Sequence, residues 1–238
     1  MLDINLLPKT EIIYHAPDQL YYRISGSIKL NNMLNLLKHP LLTHKLTLLR
    51  CKDTNTKDFR ETLGEIAGLM AYEITHDLPV KNITIETPLG KCNTQELAMD
   101  VVLVPVLRAG LGMVDGISNM IPTARVGHIG MYRDHVTLEP MTYYSKFPDN
   151  LHDAIVMVLD PMLATGGSSS AAIRLLKDHG AKTIKLVCVV GAPQGVDRII
   201  KDHPDVQIYL AGLDEKLNEY GYIVPGLGDA GDRLFGTK

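Results

Sequence analysis

The chain has no surplus of basic residues. Its 238 residues carry 24 Lys and Arg against 27 Asp and Glu, a formal net charge of -3. General nucleic-acid binding needs clustered cations that neutralise phosphates, so this balance argues against a nucleic-acid partner. A small phosphorylated ligand stays open, because a few local donors are enough to hold one. Cysteine is scarce as well. Cys51, Cys92 and Cys188 form an odd set without CxxC spacing, which points to reduced thiols rather than a disulfide framework. Cys188, inside the apolar run 186–190, reads as a small core residue. Long apolar runs are missing too. The longest, residues 101–107, contains Pro105 and falls far short of the ~20 residues a bilayer requires. The N-terminal region carries Asp3 and Glu11 and has no signal-peptide apolar core, so a soluble cytoplasmic protein is expected.

Several catalytic motifs are also absent. There is no GxxxxGK[ST], HExxH or GxSxG, which removes the kinase-type phosphate loop, the common zinc protease and the hydrolase nucleophile elbow. The nine histidines show no paired metal spacing with carboxylates, and His39 and His44 read as structural or interface residues. Residues 226–231 do satisfy GxGxxG, but only seven residues follow, too few for the helix, strand and acid of a dinucleotide site.

What the chain does have is alternation. At 45% hydrophobic residues it can bury one large core, as a single domain or a domain with an appendage. Phe59, Leu63, Ile66, Ala67, Met70 and Ile74 recur at helical spacing from Thr56 onward. Strands are then expected at 101–104, 124–131, 154–159, 183–190 and 206–210. Helices are expected at 111–120, after residue 168 and after Pro193. This order predicts an α/β fold with a mainly parallel sheet and helices on both faces. Between Tyr132 and Leu151 the sequence turns polar and proline-containing, with Tyr143, Tyr144 and Lys146, where either a flexible lid hairpin or an ordinary surface connection fits. Residues 87–96 are insertion-like and unassigned.

The run Asp160-Pro161-Met162-Leu163-Ala164-Thr165-Gly166-Gly167-Ser168 joins an apolar strand to a helix. A glycine-rich turn there aims backbone N–H groups at the positive end of the helix dipole, where a phosphate can sit. Thr165 and Ser168 add hydroxyl donors, and Asp160 stands at the strand end where open α/β sheets bind ligands. Plain N-capping by Ser or Thr explains such a turn equally well when it is taken alone.

This segment, with residues 222–233 (Tyr222-Ile223-Val224-Pro225-Gly226-Leu227-Gly228-Asp229-Ala230-Gly231-Asp232-Arg233), closely resembles the two signatures of the uracil phosphoribosyltransferase family. Residues 104–113, which contain Arg108, and Met131-Tyr132-Arg133 with Thr137 to Pro140 match as well. The resemblance runs from about His39 to Lys238.

It implies a type I phosphoribosyltransferase-like domain over 29–238, with a lid at 132–150 and a uracil-binding segment at 220–238. Residues 1–28 then form an extension of unassigned role, with Tyr14, Tyr21 and Tyr22. It also implies transfer of the phosphoribosyl group of 5-phosphoribosyl 1-diphosphate (PRPP) to uracil, giving UMP. Asp160 to Ser168 would contact PRPP, with Arg108 and Arg133 on the diphosphate and Asp229 on the ribose or metal side. Ile223, Gly228, Asp229 and Ala230 would contact the base. Other phosphoribosyltransferases carry two adjacent acids where this chain has Asp160-Pro161, so Mg²⁺ is expected to be held mainly through PRPP and no residue is assigned as a direct ligand. Members form dimers or higher oligomers, so a homodimer or homotetramer is expected, and activation by GTP, known for some, stays open. Two rivals are an RNA-binding regulator, which would need a basic face, and a non-catalytic sensor. Retention of Arg108, Arg133, Asp160, the Thr165 to Ser168 turn and Gly228-Asp229-Ala230 favours catalysis.

Overall fold

A computed structural model of the chain describes residues 11–14, 20–24, 27–30, 33–133 and 140–237. Its main sheet has the strand order Pro140–Lys146, His128–Arg133, Val101–Leu107, Ile155–Leu159, Thr183–Gly191, Gln207–Leu213, Leu34–Leu36. Neighbours run parallel except at one edge, where Pro140–Lys146 returns antiparallel to His128–Arg133. Six helices are present among the described residues: α1 Pro40–Arg50, α2 Thr56–Ile74, α3 Leu111–Met120, α4 Gly167–Asp178, α5 Pro193–Asp202 and α6 Ala230–Phe235.

The central strands read as unbroken apolar runs because both of their faces are covered. Side chains alternate between faces at every residue. Leu103, Met157, Leu159, Val187 and Val189 pack with the buried faces of α1, α2 and α3. Val102, Val104, Val156, Val158, Leu186 and Cys188 pack with α4 and α5. Burying each such side chain contributes about 1.5–3 kcal/mol, so the two layers together dominate the drive to fold. The expected helix coverage on both faces, and Cys188 as a core residue, are therefore what the fold contains.

Helix α2 starts where Asn55 accepts a hydrogen bond from the Asp58 N–H at 3.0 Å, and it buries Phe59, Leu63, Ile66, Ala67, Met70 and Ile74. His39 has a structural role of the same kind, since its Nδ1 accepts from the Leu41 N–H at 3.1 Å ahead of α1. Helices α2 and α3 meet backbone to backbone at Gly64, Gly68 and Gly116. A Cβ on Gly116 would lie 2.0 Å from the Gly64 carbonyl oxygen and 3.0 Å from the Gly68 nitrogen. Gly116→Ala must push two helices apart, and we expect it to lower stability by about 1–3 kcal/mol in urea unfolding. An unchanged midpoint would show that the helix pair yields freely.

The structure corrects several expectations. The strand from Val101 continues through Pro105 to Leu107, so Arg108 follows the sheet directly. The strand expected at 124–131 is interrupted at Gly127, giving Arg125–Val126 and His128–Arg133. A short strand, Met162–Leu163, was not foreseen; it pairs with Val190 and Gly191, so half of the strand-to-helix connection belongs to the sheet. Residues 87–96 lie within an antiparallel hairpin of Val80–Thr87 and Gly90–Leu97, with Leu89 at its tip 99% exposed. The stretch expected as a lid begins and ends in paired strands, His128–Arg133 and Pro140–Lys146, and its middle, 134–139, lies outside the described residues. Within 1–28, Glu11–Tyr14 and Leu20–Ile24, with Ser27–Leu30, make a separate three-stranded antiparallel sheet. Among the described residues no helix is long and apolar enough to cross a membrane.

Candidate active site

The parallel register sets Leu159, the last residue of its strand, opposite Pro105 on one side and Val187 on the other, while those two strands run on to Leu107 and Gly191. The connections leaving these ends meet there. Gly110, in the loop that carries Arg108, is pressed so close that a Cβ would lie 2.3 Å from the Leu159 carbonyl oxygen. The Arg108 loop and the Asp160 turn therefore stand side by side.

Asp160 is half-buried, and its Oδ1 accepts from the Met162 N–H at 3.3 Å. Burial pushes its pKa up to about 7, far above the ordinary carboxylate range. The turn is pinned to the Thr183–Gly191 strand. The Pro161 carbonyl accepts from Val189 and Val190 at 3.1 and 3.0 Å, and the Leu163 carbonyl accepts from Ala192 at 2.9 Å. Gly166 then occupies the N-cap of α4 in the left-handed region at φ 74°, where a Cβ would meet the Gly195 carbonyl oxygen at 2.9 Å. The N-cap residue of α4, being glycine, has no side chain to cap the helix, and no acid lies in the first turn. The first-turn N–H groups and the positive end of the dipole make this helix start favourable to an anion. Deeper in the same turn, Ser170 Oγ donates to Asp202 at 2.9 Å and lies 3.0 Å from His203 Nε2, which ties α4 to the end of α5.

Arg108 reaches the C-terminal segment. Its Nη2 lies 3.2 Å from Asp232 Oδ1, its Nη1 lies 3.4 Å from Thr237 Oγ1, and the guanidinium sits 5.7 Å from the Phe235 ring centre. Asp229 caps α6 by accepting from the Asp232 N–H at 2.9 Å. A Cβ on Gly231 would fall 3.3 Å from Asp229 Oδ1 and 3.7 Å from Arg108 Nη2, so these two groups flank one point. The Ile223–Val224 strand pairs with Lys216–Leu217, and a Cβ on nearby Gly221 would touch Thr165 at 3.8 Å. Asp160, the Thr165 to Ser168 turn, Arg108 and residues 221–231 thus lie together, with Ile223 and Ala230 buried. Arg133 ends its strand opposite Pro140, two strands from Asp160; its side chain lies outside the described residues.

Three residues of this region carry no local signal that would have marked them in the sequence. Arg50, at the end of α1, pairs with Asp214 through two hydrogen bonds of 2.7 and 2.6 Å. Arg233 donates to the carbonyls of Leu49, Leu227 and Cys51 at 2.7, 2.8 and 2.6 Å and lies 4.4 Å over the Phe59 ring. Arg233 stands in a matched segment, but its carbonyl partners carry no mark in a sequence. A cleft of about 580 Å³ between α2, α3 and α6 is the roomy alternative to the turn. Glu61, Glu65 and Asp115 line it, which suits a phosphorylated ligand poorly.

The family described as uracil phosphoribosyltransferase matches residues 36–237. The uracil phosphoribosyltransferase of Acholeplasma laidlawii is 61% identical over 205 residues, covering 86% of this chain and 99% of that protein. Its counterpart in Bacillus cereus is 60% identical over 206 residues, with the same coverage. Among solved structures, that of the AQ2163 protein from Aquifex aeolicus superposes with a TM-score of 0.82 at 40% identity, covering 85% of this chain and 98% of that one. Resemblance of this depth, along nearly the whole length of its relatives, means that the chain belongs to the uracil phosphoribosyltransferase family.

Proposed function

We propose that the protein transfers the 5-phosphoribosyl group of PRPP to N1 of uracil, giving UMP and diphosphate. The observation that carries this reading is the glycine-opened, acid-free N-terminus of α4 directly behind Asp160, with Arg108 beside it and a backbone-rich loop across from it. The 5′-phosphate sits on Ala164 to Ser168, held by first-turn N–H groups and the hydroxyls of Thr165 and Ser168. Pro161, Met162 and Leu163 hold that turn to the sheet, and Asp160 takes the ribose hydroxyls.

Arg108, with Arg133, stabilises the diphosphate as the C1–oxygen bond breaks and the bonding pair leaves with it. Uracil N1 then bonds to C1 and gives up its proton to solvent or to the departing diphosphate. Uracil presents acceptor, donor and acceptor along one edge, which the backbone of Ile223, Gly228 and Ala230 can complement. Cytosine reverses part of that pattern and would leave a buried polar group unpaired, at about 1–3 kcal/mol.

Among the described residues no cluster of three or more His, Cys, Asp or Glu side chains is arranged to cage a metal. Asp160 and Asp229 offer single hard carboxylate oxygens, the donor type that suits Mg²⁺ bound mainly through substrate phosphates. Bound so, Mg²⁺ would share the charge of the leaving diphosphate. The segment 132–150 closes over the reacting groups and excludes water. The protein works in the cytoplasm as a homodimer or homotetramer, with uracil and PRPP as its partners and GTP as a candidate activator.

The test is turnover by the purified protein with Mg²⁺, PRPP and each of uracil, cytosine, orotate and hypoxanthine, with and without GTP. UMP from uracil alone is expected. No product with any base would move the reading to a nucleotide sensor, and salt-sensitive RNA binding would move it to a regulator.

A further inference from the structure

The Arg50–Asp214 pair lies outside every matched signature, yet it grips the base loop at one residue from both sides. Asp214 is 7% exposed and follows the Gln207–Leu213 strand, where its own N–H donates to the Gly191 carbonyl at 2.8 Å. Its Oδ2 accepts from the Gly226 N–H at 2.8 Å as well as from Arg50. Arg50 Nη1 donates in turn to the Gly226 carbonyl, also at 2.8 Å. Gly226 is thus held through both of its backbone groups at φ 64°, where a Cβ would strike the Ile223 carbonyl oxygen at 2.2 Å. Arg233 fixes the next carbonyl, that of Leu227. The fixed residues stand between Ile223 on one side and Gly228 and Ala230 on the other, so the clasp sets the separation of the groups assigned to the base.

We propose that Arg50 and Asp214 are positioning residues for base recognition: their ion pair holds Gly226 so that the backbone groups of Ile223, Gly228 and Ala230 stand at the spacing of the uracil edge. This assignment rests on the proposed transferase activity. A backbone pocket has no side chain to adjust, so its selectivity is only as good as the rigidity of its loop. Arginine is required rather than any cation, because one guanidinium must serve a carboxylate through two bonds and a carbonyl at once.

The experiment measures steady-state turnover of the wild type, Arg50→Lys and Asp214→Asn against uracil at saturating PRPP and against PRPP at saturating uracil, with thermal unfolding alongside. Arg50→Lys keeps the charge and removes only the bidentate geometry, so it remains informative even where Asp214→Asn does not fold. The expected result is a KM for uracil raised between about 10- and 100-fold, with the KM for PRPP within about twofold of wild type. Equal changes in both KM values, or a lowered melting temperature with neither KM moved, would overturn the assignment and leave the pair merely structural. A wild type that makes no UMP would overturn the transferase reading itself, and the assignment with it.

Discussion

Arg108→Ala is expected to lower turnover by about 10²–10³-fold while leaving the melting temperature within a few degrees of wild type. The first half follows from the proposed role. Charge builds on the departing diphosphate only in the transition state, and removing one pre-positioned donor to such charge costs about that much. The second half follows from where the side chain lies. It is 54% exposed, and its ion pair among the described residues is a 3.2 Å contact with half-buried Asp232. Exposed pairs of this kind contribute ~0–1 kcal/mol, too little to threaten the fold. A variant that loses activity only in proportion to folded protein would remove Arg108 from the mechanism. Arg108→Lys should recover part of the rate, since it restores the charge without the forked donors.

Asp160 gives the second large effect, in the dependence on pH. Its pKa in the fold is raised to about 7 by burial, against 3.8 ordinarily. Between about pH 4 and 7 the folded chain keeps a proton that the unfolded chain has released, so this group makes the ligand-free protein less stable as pH rises through that window. Holding ribose hydroxyls calls for the carboxylate, so PRPP binding must remove the proton below pH 7. The affinity for PRPP is therefore expected to fall by up to ~10-fold for each pH unit below 7. Asp160→Asn should bind PRPP more weakly at pH 8, with only the ligand's own titration left in its pH profile. It should also unfold at a higher temperature than wild type at pH 8, with the difference shrinking toward pH 5. Calorimetric binding and melting curves at pH 5, 6, 7 and 8 check both arms. Parallel pH profiles for the two proteins would show that Asp160 does not titrate in this range.

Much of this architecture can be read in the sequence, because apolar burial drives folding and its pattern repeats along each element. Phe59, Leu63, Ile66 and Met70 mark a helix by spacing alone, and the apolar run from Val101 marks a strand covered on both faces. The turn announces itself at Gly166, whose positive φ suits glycine and where the Gly195 carbonyl oxygen would strike a side chain. The short strand Met162–Leu163 stayed hidden, since two residues show no period and their pairing with Val190 and Gly191 is decided from the far side of a helix. Arg50, Asp214 and Arg233 were hidden for another reason. Each is one charged residue with at least one partner, a backbone group or an ion, 164 or more positions away, a relation that leaves no trace in local pattern. The distances show which cation holds a loop, Arg233 stacked on Phe59, and which stands exposed beside the turn, Arg108.

The link between the end of α1 and the Gly226 loop bears on how the protein comes into being. The ribosome makes Arg50 well before the carbonyl it must grip, which is 176 residues further along the chain. Contacts of such separation form late, after the intervening sheet has closed. A nascent chain that extends past Gly195 has the strand and helix that pin the Asp160 turn, the place proposed for the sugar phosphate, but lacks the loop proposed for the base. The two halves of the proposed site come together only when residues 223–233 pack against the end of α1. Until then a half-built chain has nothing to which it could pass the activated sugar.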